Sequence, residues 1–181
     1  MDKPIELKTK RLLLRRPRPE DLDDMIEFHN SPGFQRYGTY PTTREDVEKL
    51  MDIILDTTKW EQRGIPNFFI VLDGKVIGEV HLNRREEDME NGRAELVYSL
   101  SSYHWNKGFA TEAAKEVVDL SFRSQDINRI FAWCDSENVG SWRVMEKLGM
   151  KREGLFRGHR LWNGAFRDSL YYGILRSEWK G

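Results

Sequence analysis

The chain has 181 residues, enough to bury the core of one ordinary globular domain, and its 29 Lys plus Arg against 30 Asp plus Glu leave a formal charge of −1 at pH 7. With 33% charged residues and no apolar run near the roughly 18 residues of a membrane span, a transmembrane protein and a membrane partner are excluded, and the balanced charge argues against a nucleic-acid partner. The start, Met1 to Leu7, lacks the basic-then-apolar pattern of a secretory signal, and a lone Cys134 closes no intrachain disulfide, so a cytoplasmic protein is expected.

The segment Leu7 to Arg16, closed by Pro17 and Pro19, reads as a first strand. Leu22, Met25, Ile26 and His29 then recur at helical spacing behind the acidic Glu20-Asp21, and Ser31-Pro32-Gly33 stops that helix. Thr43 with Asp46 forms a capping pair for a second helix, with Val47, Leu50, Met51 and Ile54 on one face and an expected end near Gly64. Phe68 to Leu72 and Val76 to Leu82 read as strands joined by Asp73-Gly74, the dipeptide of tight hairpins. The acidic run Glu86-Glu87-Asp88-Met89-Glu90 reads as a solvated loop. A strand from Ala94 to Leu100 follows Asn91-Gly92, and after a polar and aromatic stretch Ala113, Ala114, Val117, Val118 and Leu120 predict a buried helix to about Ser124. Ile130 to Cys134 is a short strand. Asn138 or Ser141 caps a further helix with Val144, Met145 and Leu148 inward and Gly149 at its C-terminal cap, and Leu170 to Leu175 is a final strand.

This order predicts a mixed α/β (α+β) fold with helices on both faces of a mostly antiparallel sheet of six to seven strands, in one domain over residues 1–181. Hairpins in its middle set it apart from a doubly wound dinucleotide fold. His29, His81, His104 and His159 lack ligand-like spacing, so no metal site is expected.

The segment Trp105-Asn106-Lys107-Gly108-Phe109-Ala110-Thr111-Glu112-Ala113 passes from a strand into a helix. Such a turn aims free N–H groups and the positive end of the helix dipole at an anion, although a glycine before a helix is more often simply a turn. Together with Leu7 to Arg15, with Asn138-Val139-Gly140-Ser141 through Gly149, and with Asp168 through Trp179, in that order, it resembles the GNAT-superfamily N-acetyltransferases, most of all the RimJ/RimL group that acetylates ribosomal-protein N-termini.

The resemblance implies acetyl-CoA as co-substrate, its pantetheine lodged in a splay between the fourth and fifth strands, Ala94–Leu100 and Arg129–Cys134. It implies contacts from Val97, Ser99 and Leu100 on the first of these, from Lys107, Gly108, Phe109, Ala110 and Thr111 on the pyrophosphate, and from Trp105 at the loop's opening. Asn138 matches a residue reaching the pantetheine arm and Ser141 one near the thiol, both with helix capping as the alternative. Glu95 matches a general base of the superfamily, against a structural bond to Arg93 or to backbone. Glu79, His159 and water are the other acceptors of the amine's proton. Met145 stands where many members have an acid tyrosine, which leaves Ser141 or solvent to protonate the leaving sulfur, and Arg160 replaces a glutamate of the ribosomal-protein enzymes.

Cys134 reads as a core thiol rather than a nucleophile, and the six Trp as core rather than base-stacking surface. The expected activity is direct transfer of an acetyl group to a primary amine: a protein N-terminus, a polyamine or another small amine, including an antibiotic or metabolite being detoxified. The alternative is a catalytically silent acyl-CoA sensor or scaffold. Acceptor choice is expected in the two N-terminal helices, the Arg84–Gly92 loop and the segment Phe156–Phe166, and a homodimer would cover an edge strand.

Overall fold

Alternation in Phe68-Phe69-Ile70-Val71 sets the layering: Phe68 and Ile70 enter one hydrophobic core, Phe69 and Val71 the other, so this strand is covered on both faces. The computed structural model describes residues 6–37, 40–56, 67–124 and 126–181. Its elements are β1 (Leu7–Lys8), β2 (Leu13–Arg15), α1 (Leu22–His29), α2 (Arg44–Leu55), β3 (Phe68–Leu72), β4 (Lys75–Asn83), α3 (Glu86–Glu90), β5 (Arg93–Leu100), α4 (Phe109–Ser124), β6 (Arg129–Asp135), α5 (Val139–Lys147), β7 (Lys151–Trp162) and β8 (Ala165–Leu175). They build one eight-stranded sheet of order β1-β2-β3-β4-β5-β6-β8-β7, antiparallel except for β5 beside β6. Met25, Phe28, Val47 and Met51 of α1 and α2 pack on one face, and Ala113, Val117, Val144 and Met145 of α4 and α5 on the other. Among the described residues no helix is long and apolar enough to cross a membrane.

Local signals act where the sequence places them. The Thr43 hydroxyl accepts from the Asp46 N–H at 3.2 Å and caps α2. Asp73 and Gly74 take φ of 50° and 85° and close the β3–β4 hairpin. At Gly149, φ 79°, the Met150 N–H returns to the Met145 carbonyl at 3.0 Å and ends α5.

Four expectations change. The first strand is two, because Thr9 and Leu12 close a turn between them. The last strand begins at Ala165, and the unforeseen β7 pairs with it, raising the strand number to eight. The acidic run is a short helix, α3, whose Asp88 is buried and bonded to Arg85 and Arg93, so that carboxylate is structural. Helix α2 ends at Leu55, with the Asp56 N–H bonded to the Asp52 carbonyl, and the remainder of the stretch toward Gly64 lies outside the described residues from 57 onward.

Candidate active site

Strands β5 and β6 pair only through Arg93–Arg129, Ala94–Ile130 and Glu95–Phe131. Beyond Glu95 they share no ladder, and each follows its other neighbour, β4 or β8. The sheet therefore opens into a splay between these two strands, as the resemblance implied, and backbone groups along its walls can pair with an extended ligand.

At the splay's mouth the chain turns into α4. The first bond within the helix runs from the Glu112 N–H to the Gly108 carbonyl at 3.0 Å, so the amides of Gly108, Phe109, Ala110 and Thr111 precede the ladder and point outward from its positive end. Gly108 has φ 81°, and a Cβ there would stand 3.4 Å from an Arg11 nitrogen. The β1–β2 turn locks this loop from the side. Glu112 accepts from the Thr9 hydroxyl at 2.5 Å and from the Arg11 N–H at 2.8 Å, while the Arg11 guanidinium bonds its other oxygen and the Lys107 carbonyl and covers the Phe109 ring at 4.4 Å. Partial burial opposes ionisation of Glu112, but these hydrogen bonds outweigh it and hold the carboxyl below the usual range. The Phe109 side chain is itself buried, leaving its amide as the outward group. The Trp105 indole donates to the Leu100 carbonyl at 2.7 Å and Lys107 to the Tyr103 carbonyl at 2.9 Å, so both side chains brace the turn.

Across the splay, Asn138 Oδ1 caps α5 through the Ser141 N–H at 3.1 Å. The cap uses the oxygen alone, and among the described residues the Nδ2 group makes no hydrogen bond, so capping and a ligand contact are compatible. Tyr98, which the sequence did not single out, reaches from β5 to this helix. Its hydroxyl donates to the Ser141 carbonyl at 2.8 Å and lies 2.9 Å from the Ser141 Oγ. Cys134 is the next group, and burial pushes its thiol up to about 11, against the opposing hydrogen bond of Ser141. It is 6% exposed in the core, as expected. Met145 is core as well, at 1%.

Register places Glu79, His81 and Asn83 of β4 on one face with Ser99, Val97 and Glu95 of β5. Glu95 accepts from the Trp133 indole N–H at 2.6 Å and from Asn83 Nδ2 at 3.4 Å, not from Arg93, which binds Asp88. Glu79 is buried under Ser99 and Asn67 at 3.2 and 3.5 Å, which leaves Glu95 the more accessible carboxylate. Burial holds His81 below its ordinary value despite both carboxylates, so it is neutral near pH 7. His159, expected in a loop, is on strand β7 with Nδ1 3.0 Å from the Ser169 hydroxyl, and it lies edge-on to Trp133. Tyr171 stacks on Trp133 at 6.1 Å, and the Arg160 guanidinium covers the same indole at 5.1 Å. Trp133 and Tyr171 are half-buried beside Glu95, outside the core in which most aromatics were expected.

The splay, the amides of residues 108–111 at its mouth and the carboxylates of Glu79 and Glu95 thus stand on the same part of the sheet. The Acetyltransferase (GNAT) domain model matches residues 11–151. The chain belongs to the GNAT acetyltransferase family. It is 34% identical over 178 residues to p20 of Bacillus licheniformis, an uncharacterized N-acetyltransferase, covering 97% of this chain and 98% of that one. It is 29% identical to the spermidine N(1)-acetyltransferase of Escherichia coli K12, over 88% of this chain and 83% of the relative. The crystal structure of a GNAT-family acetyltransferase from Bacillus anthracis, 28% identical, superposes with a TM-score of 0.79 over 96% of this chain and all of that one. The chain is thus an N-acetyltransferase with acetyl-CoA as co-substrate, and the open amides of residues 108–111 are of the chemistry its pyrophosphate needs.

Proposed function

We propose that this GNAT domain, spanning residues 1–181 and acting in the cytoplasm, transfers acetyl directly to a primary amine held beside Glu95. The observation that carries this reading is Glu95 at the last paired rung of β5 and β6, where its carboxylate sits at the head of the splay. Acetyl-CoA supplies an activated acyl thioester. The amides of residues 108–111 hold its pyrophosphate, with Trp105 and Lys107 bracing the loop, and the open edge of β5 at Leu100, with Asn138 Nδ2, pairs with the pantetheine arm beside Val97 and Ser99, whose own main-chain groups bond β4. Glu95 takes one proton from the incoming ammonium and passes it to solvent, the neutral amine then forms the C–N bond, and the second N–H proton leaves through the same carboxylate as the adduct collapses. The C–S bond breaks and the sulfur takes a proton from the Ser141 hydroxyl, which Tyr98 orients and solvent resupplies. Transfer passes through a ternary complex, since the buried Cys134 is too weak an acid to carry the acetyl group. A protein N-terminus, a polyamine such as that named for the Escherichia coli relative, and other small amines remain within this chemistry. Leu161 and Phe166, 64% and 74% exposed at the β7–β8 tip, support a homodimer through that hairpin.

The test is CoA thiol release with an amine panel, beside calorimetric binding of acetyl-CoA. Glu95→Gln is expected to lower kcat at least about a hundredfold, within the range for loss of a general base, with acetyl-CoA affinity preserved. Acetyl-CoA binding without turnover of any amine by the wild type would favour the silent sensor or scaffold.

A further inference from the structure

Arg160 is a half-buried cation whose charge no carboxylate answers among the described residues. Its side chain makes no ion pair and no hydrogen bond there, and lies beside two indoles, Trp133 at 5.1 Å and Trp162 at 5.8 Å. Its cross-strand neighbour on β8 is Arg167, a like charge directly opposite, which costs stability in a hairpin. Arg167 is neutralised by Glu137, but Arg160 is not. The position is also held firmly. The Trp162 indole donates to the Arg36 carbonyl at 3.0 Å and ties the hairpin to the segment after α1, so one of the two rings beside the guanidinium is anchored. Trp133 joins the two charges of the cleft: its N–H edge binds Glu95 and its face carries Arg160. A carboxylate that accepts an ammonium proton and a guanidinium with open donors are therefore one indole apart.

We propose that Arg160 is the acceptor's anion site, so that the preferred substrate is a primary amine carrying a carboxylate or phosphate a few bonds from its nitrogen. A guanidinium presents donors in a fork suited to either oxyanion. With the two indoles as its recorded side-chain contacts, its N–H groups are left for the ligand. The same charge repels a polyamine, whose second ammonium would approach it. This inference rests on the acetyltransferase reading of the splay.

The test compares matched amines with acetyl-CoA: O-phosphoethanolamine against ethanolamine for phosphate, β-alanine against propylamine for carboxylate, and spermidine as the polycation. The wild type is expected to favour an anionic member over its neutral partner by about ten- to hundredfold in kcat/KM, chiefly through KM, and to use spermidine poorly. Arg160→Ala is expected to bring that ratio near one, Arg160→Lys to restore part of it, and Arg160→Glu to shift the preference toward spermidine. The two pairs separate phosphate from carboxylate. Calorimetry of O-phosphoethanolamine and β-alanine with the CoA complex reads the site without turnover. Selective binding lost in Arg160→Ala supports the anion site even if no amine is acetylated. Equal binding of anionic and neutral amines, or a preference for spermidine in the wild type, overturns it, as does an Arg160→Ala variant that keeps the wild-type ratio.

Discussion

Tyr98→Phe removes one oxygen from the bridge between β5 and α5 and leaves the ring in place. In the structure that oxygen donates to the Ser141 carbonyl at 2.8 Å and lies 2.9 Å from its hydroxyl. Burial pushes the phenol far above its ordinary value, with Cys134 adding to the effect and Ser141 opposing it, so the group is a neutral hydroxyl at any working pH and its loss removes a hydrogen bond rather than a charge. One such bond is worth about 1 kcal/mol net, and about 1–3 kcal/mol if its partners are left dry. The Ser141 carbonyl stays within α5 and its hydroxyl keeps Cys134, so the lower half applies: about 1–2 kcal/mol, or a fall in Tm of roughly 2–8 °C for a chain of this size. Thermal and urea unfolding of Tyr98→Phe, Ser141→Ala and the double variant give the coupling, expected at about 0.5–1 kcal/mol. Additivity within about 0.3 kcal/mol would refute the hydroxyl-to-hydroxyl contact, and a Tyr98→Phe variant with the wild-type Tm would refute the bridge to the Ser141 carbonyl.

Other outcomes follow from charged and buried groups. Arg15 and Asp21 are 7% and 3% exposed and paired through two bonds of 2.6 and 2.7 Å, with the Arg18 N–H on the same carboxylate. Asp21→Ala strands the guanidinium and is expected to cost about 3–5 kcal/mol in urea unfolding, against less than about 1 kcal/mol if the pair is incidental. Glu112 is held below its ordinary value of 4.5, so its contribution to stability is present above that pH and is lost as pH falls through the folded value. Acid titration of Tm is expected to show a shallower fall below pH 4.5 in Glu112→Gln than in the wild type, and parallel curves would contradict the lock on the loop. Cys134, with its thiol near 11, is expected to resist a disulfide reagent at pH 8 in the native state and to react once the chain is unfolded. Rapid native labelling would reopen a covalent acetyl carrier.

What the sequence revealed was local. The Thr43 cap, the Asp73-Gly74 turn and Gly149 each act within a few residues, and the Trp105–Ala113 segment carries its helix entrance in its own composition. Strand β7 was not legible because most of its side chains face solvent at the sheet edge, which leaves no apolar period. The cleft was only partly legible for a different reason. Tyr98 meets Ser141 across 43 residues and Trp133 meets Glu95 across 38, so their pairing depends on the parallel β5–β6 crossover. His81 and Glu95 share a face only through the β4–β5 register. Arg160 was visible as a departure from a family pattern, but its seat on Trp133 required β7 to pair with β8 and bring Arg160 over the indole.

The most direct measurement is a crystal structure with CoA bound. The account predicts the pantetheine arm between β5 and β6 beyond the Glu95–Phe131 rung, with the pyrophosphate on the amides of residues 108–111 and the sulfur near the Ser141 hydroxyl. CoA elsewhere on the surface, with β5 and β6 still splayed and Tyr98 still bridging an empty cleft, would contradict it.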